Sequence, residues 1–277
     1  MSILHGPDQA CCIGAMVYGL FYLPEELHHS LLATTYHFDD SKVLTPKFRA
    51  SLLEQLSTPT TDLYKHCGWA TRVMSARDIS AGMLRQTAPY NLNSQAMDAT
   101  IDLIKGVLAK GLNIKHIYID TIGKPEVYQR KLEKIFPTMQ ITVAKKADSL
   151  FPCVSAASVC AKVTRDVALE LSYDASYVAQ STAGWGSGYP SDVRCSSWLK
   201  ENMHPLFGWG SECRFSWGTS KELLEVKNKE MKVAWPDDEG SADGLKISDF
   251  FGSSDPIGNP GEAMKSWFGQ RASQINF

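Results

Sequence analysis

Apolar positions along the chain fall into runs of two kinds, short continuous stretches and stripes at helical spacing, and they alternate. Residues 13–23, IGAMVYGLFYL, form a continuous apolar stretch of strand character, and residues 67–74 read as a second strand. Residues 46–56 open on Pro46, whose fixed φ suits a first helical turn, and read as a helix. Met97, Ile101, Ile104 and Leu108 recur on one helical face; Asn93 or Ser94 can cap that helix, and Gly111 can end it. A strand over 114–120, a helix from Pro125 to Ile135, a strand over 139–145 and a long helical stretch over 149–172 follow, and residues 219–231 give a last helical segment. Such alternation predicts an α/β fold, strands and helices around one sheet.

Past Trp235 the pattern stops. Residues 236–277 are rich in Gly, Ser, Pro and Asp and hold too few apolar side chains to offset the entropy of ordering them. The expected organisation is therefore a folded domain over 1–230, with residues 1–12 atypical, and a low-complexity acidic tail over 231–277.

Composition narrows the function classes. A chain of 277 residues buries a full core without covalent staples. Its seven cysteines, at 11, 12, 67, 153, 160, 195 and 213, are odd in number and lack C-x-x-C spacing, so neither a disulfide framework nor a zinc site is indicated and a reducing, intracellular compartment is expected. No apolar run reaches membrane-spanning length, and the start lacks the charged-then-apolar order of a signal peptide. The formal net charge of −2 conceals an asymmetry: residues 236–277 carry seven acidic and three basic side chains, which leaves residues 1–235 at +2. A mildly basic body suits nucleic acid only where its Lys and Arg gather on one face.

Two carboxylates carry the candidate chemistry. Asp120 ends the strand IYID (117–120), and Asp148 ends the run VAKKAD (143–148). Strand ends are where an α/β sheet opens to solvent, and paired carboxylates there suit an oxygen-preferring divalent cation for phosphodiester chemistry. Each aspartate also has an ordinary structural reading, as a turn or helix-capping residue. After Asp148 come the small residues Ser155, Ala156, Ala157, Ser158 and Ala161, then Lys162 and Arg165 on one helical face. The small residues fit close helix packing, and the two cations fit phosphate contacts, unless Lys162 pairs with Asp166. In GWGSGYPSD (184–192) three glycines surround Tyr189, whose ring can stack on a sugar or base; the plainer reading is a turn before a helix starting near Pro190. Asp40-Ser41-Lys42 either presents Lys42 to a phosphate or forms a turn.

Taken together, DSK (40–42), NLNS (91–94), IYIDTIGKPEVYQ (117–129), KKADSLFPCVSAASVCAKVTRD (145–166), GSGYPSD (186–192), HPLFGW (204–209) and RFSW (214–217) resemble the catalytic subunit of eukaryotic type 2 ribonuclease H, in family order over residues 13–230. The resemblance implies a ribonuclease-H-like fold, a mixed five-stranded central sheet flanked by helices with a helical C-terminal extension. It also implies endonucleolytic hydrolysis of RNA in RNA/DNA hybrids and at ribonucleotides embedded in duplex DNA, with Mg2+ or Mn2+ and two-metal-ion catalysis. By motif, Asp120 and Asp148 correspond to metal-binding catalytic carboxylates and Tyr189 to the tyrosine that packs on the junction sugar. Lys42, Lys162 and Arg165 are the candidate phosphate contacts. The family's eukaryotic members work in a heterotrimer with two auxiliary subunits, and a nuclear location is expected.

One departure stands out. Where the family carries DEAGRG, this chain has His5, Gly6, Pro7, Asp8, Gln9 and Ala10. Two metal carboxylates and the backbone that senses ribose hydroxyls are thereby missing. Asp8 is a poor substitute, because a register slip turns a strand's faces over and Pro7 disfavours a regular central strand. Either the first dozen residues are an alternative start on an intact enzyme, or the chain is a catalytically impaired relative that acts in hybrid binding or complex assembly; the boundary near residue 12 favours the first. In the tail, Ile247, Phe250 and Phe251 have the I-x-x-F-F spacing of sliding-clamp peptides, with Gly244 where such peptides carry glutamine.

Overall fold

The computed structural model describes residues 2–4, 11–38, 44–85, 88–120, 124–177 and 184–227, all within the compact unit Met1–Met231. A five-stranded mixed sheet forms its centre, built from β1 (Ser2–Leu4), β2 (Met16–Tyr22), β3 (Gly68–Met74), β4 (His116–Asp120) and β5 (Gln140–Ala144) in the order β3-β2-β1-β4-β5. β2 runs antiparallel to β3 and to β1, with Leu4 opposite Gly19; β1 runs parallel to β4, with Ile3 opposite Ile119; β4 and β5 are parallel. The parallel half needs crossovers, and α5 (Pro125–Ile135) supplies the one between β4 and β5.

β2 is apolar without interruption because both its faces are covered, Met16 through Phe21 being buried. On one face Tyr18 and Leu20 join Ile117, Ile119, Ile141 and Val143 against α4 (Leu92–Leu108). On the other, Phe21 joins Leu52 and Leu56 of α1 (Pro46–Ser57) and the first turns of α7 (Pro152–Tyr177). A third cluster, with Ile13, Leu169, Trp185, Trp198 and Trp209 at its centre, binds α8 (Val193–Glu201) to the body. The small residues of α7 do what their size allows: Ser155, Ala156, Ala157 and Ser158 are buried, and a side chain on Gly19 would run into the Ala157 carbonyl and the Ala161 methyl.

Several boundaries differ from the sequence expectation, each for a local reason. Asn91, not Asn93 or Ser94, caps α4, its side chain accepting from the Ser94 N–H at 2.9 Å. That helix ends at Leu108, and Gly111 follows with φ of 79° in the closing turn. The stretch predicted over 149–172 is two helices, α6 (Ala147–Leu150) and α7, separated at Phe151 because Pro152 has no N–H to continue a ladder. α8 begins at Val193 behind an Asp192 cap rather than near Pro190. The last segment is observed as α9 (Gly218–Lys227). Five elements were not foreseen: β1, a 3₁₀ turn over Glu25–Leu27, a π-helical segment over His28–Thr35, α2 (Asp62–His66) and α3 (Ala76–Met83). Among the described residues no helix is long and apolar enough to cross a membrane.

Candidate active site

Asp120 is the last residue of β4, and the chain returns to it after β5. Lys146 makes that return possible by adopting a left-handed conformation, φ 55° and ψ 40°, which costs a non-glycine residue about 1–2 kcal/mol. The turn aims the Ala147 N–H at Asp120 Oδ1, 3.0 Å away, and starts α6 there. Asp148 is the next residue, in the first turn of α6, and is 5% exposed. The two sequence-predicted aspartates are thus brought together, one accepting a backbone hydrogen bond from the residue that precedes the other.

Their environments differ from those of ordinary caps. Asp148 Oδ1 is buried and has no hydrogen-bond partner among the described residues. An orphaned carboxylate oxygen costs roughly 1–3 kcal/mol or more, and buried carboxylates are ordinarily matched by donors or by a cation. An open carboxylate oxygen one residue along from the amide that holds Asp120 fits magnesium or manganese, which are held through one or two carboxylates with water and substrate phosphate completing the sphere. Among the described residues no three His, Cys, Asp or Glu side chains converge as a ligand set. Positions 5 and 6, where the family motif places its carboxylates, and Lys42 lie outside the described residues.

A second group of residues is organised around Tyr189. Gly188, with φ 77°, accepts through its carbonyl from the N–H groups of Cys12 at 3.0 Å and Ile13 at 3.2 Å. A Cβ at Gly188 would sit 2.7 Å from the Ile13 carbonyl, so the segment leading into β2 and the tyrosine loop approach as closely as glycine permits. Arg165, on α7 and 7% exposed, donates to the Ser187 carbonyl, reaches Cys11 Sγ at 3.2 Å, pairs with Asp166 at 3.0 Å and sets its guanidinium 4.8 Å from the centre of the Tyr189 ring. Asp166 also lies 4.0 Å from Arg49 of α1. Asp192 accepts from the Ser187 N–H at 2.8 Å and from the Arg194 N–H at 3.0 Å, and these bonds hold its carboxyl well below the usual carboxylate range. Lys162 is half-buried one turn before Arg165. Arg165 therefore points inward and braces Tyr189.

Sequence reasoning did not find the clasp of residues 11–13 on Gly188 or the role of Asp192. The three glycines of the loop were the available signal for the first. The second was visible as an Asp at a position able to cap the helix that follows the turn.

Comparison with known proteins decides the family. The Ribonuclease HII family profile matches residues 9–220. The chain belongs to the ribonuclease HII family. It is similar to a ribonuclease H2 subunit from Neurospora crassa, 55% identical over 94% of this chain and 81% of that protein. The proteins of the same name from Schizosaccharomyces pombe (45% identity, 93% of this chain, 75% of the relative) and Homo sapiens (39%, 86% and 77%) match as well. Among solved structures, ribonuclease HII from Archaeoglobus fulgidus, determined in a PCNA:RNase HII complex, superposes with a TM-score of 0.63 at 26% identity, covering 80% of this chain and 96% of its own. Ribonuclease H2 from Pyrococcus horikoshii shares the fold, with a TM-score of 0.60 at 24% identity over 82% of this chain and 99% of that one. By family the protein is a ribonuclease H of type 2, a nuclease and a hydrolase, and the ribonuclease-H-like fold expected from its motifs is the fold it has.

Proposed function

We propose that this ribonuclease HII family member cleaves the RNA strand of RNA/DNA hybrids, and single ribonucleotides embedded in duplex DNA, with Asp120 and Asp148 as divalent-cation ligands and Tyr189 as the platform for the junction sugar. The observation that carries this reading is the hydrogen bond by which Ala147, next to Asp148, holds Asp120 at the end of β4, together with Asp148 Oδ1, which is buried and unmatched among the described residues. When bound, magnesium or manganese supplies Lewis acidity to water and to the scissile phosphate. The chain's own residues do the rest. Asp120 is held in orientation by the Ala147 N–H, Asp148 offers its open oxygen, and Arg165 and Asp192 fix the loop that carries Tyr189. Lys162 is assigned to the phosphate backbone, as is Lys42, which lies outside the described residues. The products would be a 3′-hydroxyl and a 5′-phosphate.

A two-ion version of this chemistry needs more carboxylates than the described residues supply, and the sequence places His5 and Gly6 where the family has Asp and Glu. The second reading, a catalytically impaired relative acting in hybrid binding or complex assembly, rests on that departure at positions 5 and 6. Position 5 directly follows Leu4, whose neighbour Ile3 is paired with Ile119, one residue short of Asp120. The test restores DEAGRG over residues 5–10, assembles the protein with its auxiliary subunits, and assays a duplex containing one ribonucleotide in magnesium. Cleavage at that ribonucleotide is the expected result, and a fully assembled, restored protein without it overturns the reading.

Assembly with two auxiliary subunits, a nuclear location and a part in removing ribonucleotides during DNA replication are proposed on the ground of the ribonuclease H2 relatives. Ile247, Phe250 and Phe251 are proposed as a sliding-clamp peptide; they lie outside the described residues. Substituting both phenylalanines by alanine should abolish clamp binding by the full chain, and no binding by the unaltered chain removes the idea.

A further inference from the structure

At the opposite end of β4 from Asp120 lies a cavity of about 460 Å³, whose wall includes His28, His29, Lys115, His116, Tyr118 and Cys153. Nothing in the cleavage reaction uses it. His28 Nε2 stands 2.9 Å from Cys153 Sγ, and the Cys153 N–H points at the same nitrogen from 3.4 Å. An amide N–H only donates, so Nε2 is an acceptor, the ring proton sits on Nδ1, and the thiol is the group that donates to the imidazole. The ring is fixed by its neighbours: it stacks on Tyr118 at 6.1 Å with planes 7° apart, and meets the His29 ring edge-on at 4.8 Å. Burial, and then the neighbouring His29, hold His28 below the ordinary histidine range, so it is neutral and able to take a proton at physiological pH.

A thiol hydrogen-bonded to a neutral, oriented imidazole at a cavity wall is the arrangement that activates a sulfur nucleophile. Among the described residues no three such side chains converge as metal ligands. We propose that Cys153 is a covalent modification site for α,β-unsaturated carbonyl compounds entering this cavity, with His28 as its general base. Sγ bonds to the β-carbon of the electrophile while the thiol proton passes to His28 Nε2. The π electrons move onto the carbonyl side, and the α-carbon then takes the proton back from His28. Nothing is oxidised and no group leaves, so no co-reactant is needed.

N-ethylmaleimide, an activated alkene of this class, is the probe, applied to the folded full chain at limiting concentration and followed by peptide mass spectrometry. The six other cysteines are internal controls. Cys67 is the informative one, because it is more exposed than Cys153 while burial pushes its thiol up to about 12. The expected outcome is labelling of Cys153 at least about tenfold faster than Cys67, with His28→Gln and His28→Ala each slowing Cys153 labelling by about tenfold or more and leaving Cys67 unchanged. Circular dichroism melts identify any variant that has unfolded, and a His28 variant that keeps its fold and still labels Cys153 at the parent rate overturns the proposal. So does labelling of Cys153 no faster than Cys67, or only on unfolding.

Discussion

The two halves of the candidate site are built on opposite plans. Around Tyr189 the loop is tied down by its own neighbours: the Gly188 carbonyl by two amides, Ser187 at both its N–H and its carbonyl, the tyrosine ring by Arg165. Around Asp120 and Asp148 a buried carboxylate oxygen is left open and a lysine is held in a left-handed turn. The tyrosine loop is closed by the protein's own groups, whereas on the proposed reading the open oxygen of Asp148 is closed by a cation. Stability and function are therefore separable here, because unsatisfied groups cost stability and persist where function requires them.

Substitutions break this contrast in a definite order. The largest effect is expected for Asp148→Asn in the restored protein: removing the charge that faces the cation should lower cleavage by about a hundredfold or more, while the melting temperature stays level or rises, since an orphaned buried charge is lost. A steady-state assay beside a thermal melt reads both, and a large loss of stability would place Asp148 among the structural caps. Next is Gly188→Ala, which adds a Cβ at 2.7 Å from the Ile13 carbonyl on a backbone with φ of 77° and should cost about 2–4 kcal/mol in denaturant unfolding. The smallest effect is one of pH. The Asp192 carboxyl is depressed in the folded state relative to the unfolded chain, so its contribution is present above the unfolded pKa, about 4, and is lost as pH falls through the folded value. The stability gap between parent and Asp192→Ala should be full at neutral pH and shrink on acidification below about pH 4, as denaturant midpoints across pH would record.

Much of this was legible in the sequence, and the exceptions share a cause. β2, β3, β4, β5, α1, α4 and α5 came from apolar runs and caps because their signals are local. β1 spans three residues, too few for any period to show, and takes its place from pairing with β2 and β4. The split at Pro152 was present in the sequence, but helical character on both sides concealed it. At the site, strand ends pointed to Asp120 and Asp148, whereas the inward turn of Arg165 depends on Cys11 and Ser187, far from it in the chain. The pairing of His28 with Cys153, 125 residues apart, belongs to the same class and left no mark on either segment.

The placement of Ser2–Leu4 has a further consequence. The antiparallel pair β2 and β3 and the parallel pair β4 and β5 meet only across this three-residue strip, so the sheet carries a seam at its middle rather than at an edge. Substitutions within Ser2–Leu4 that weaken its pairing with β2 and β4 therefore work on the stitch that joins the two halves and should be felt one strand away, at the carboxylate of Asp120.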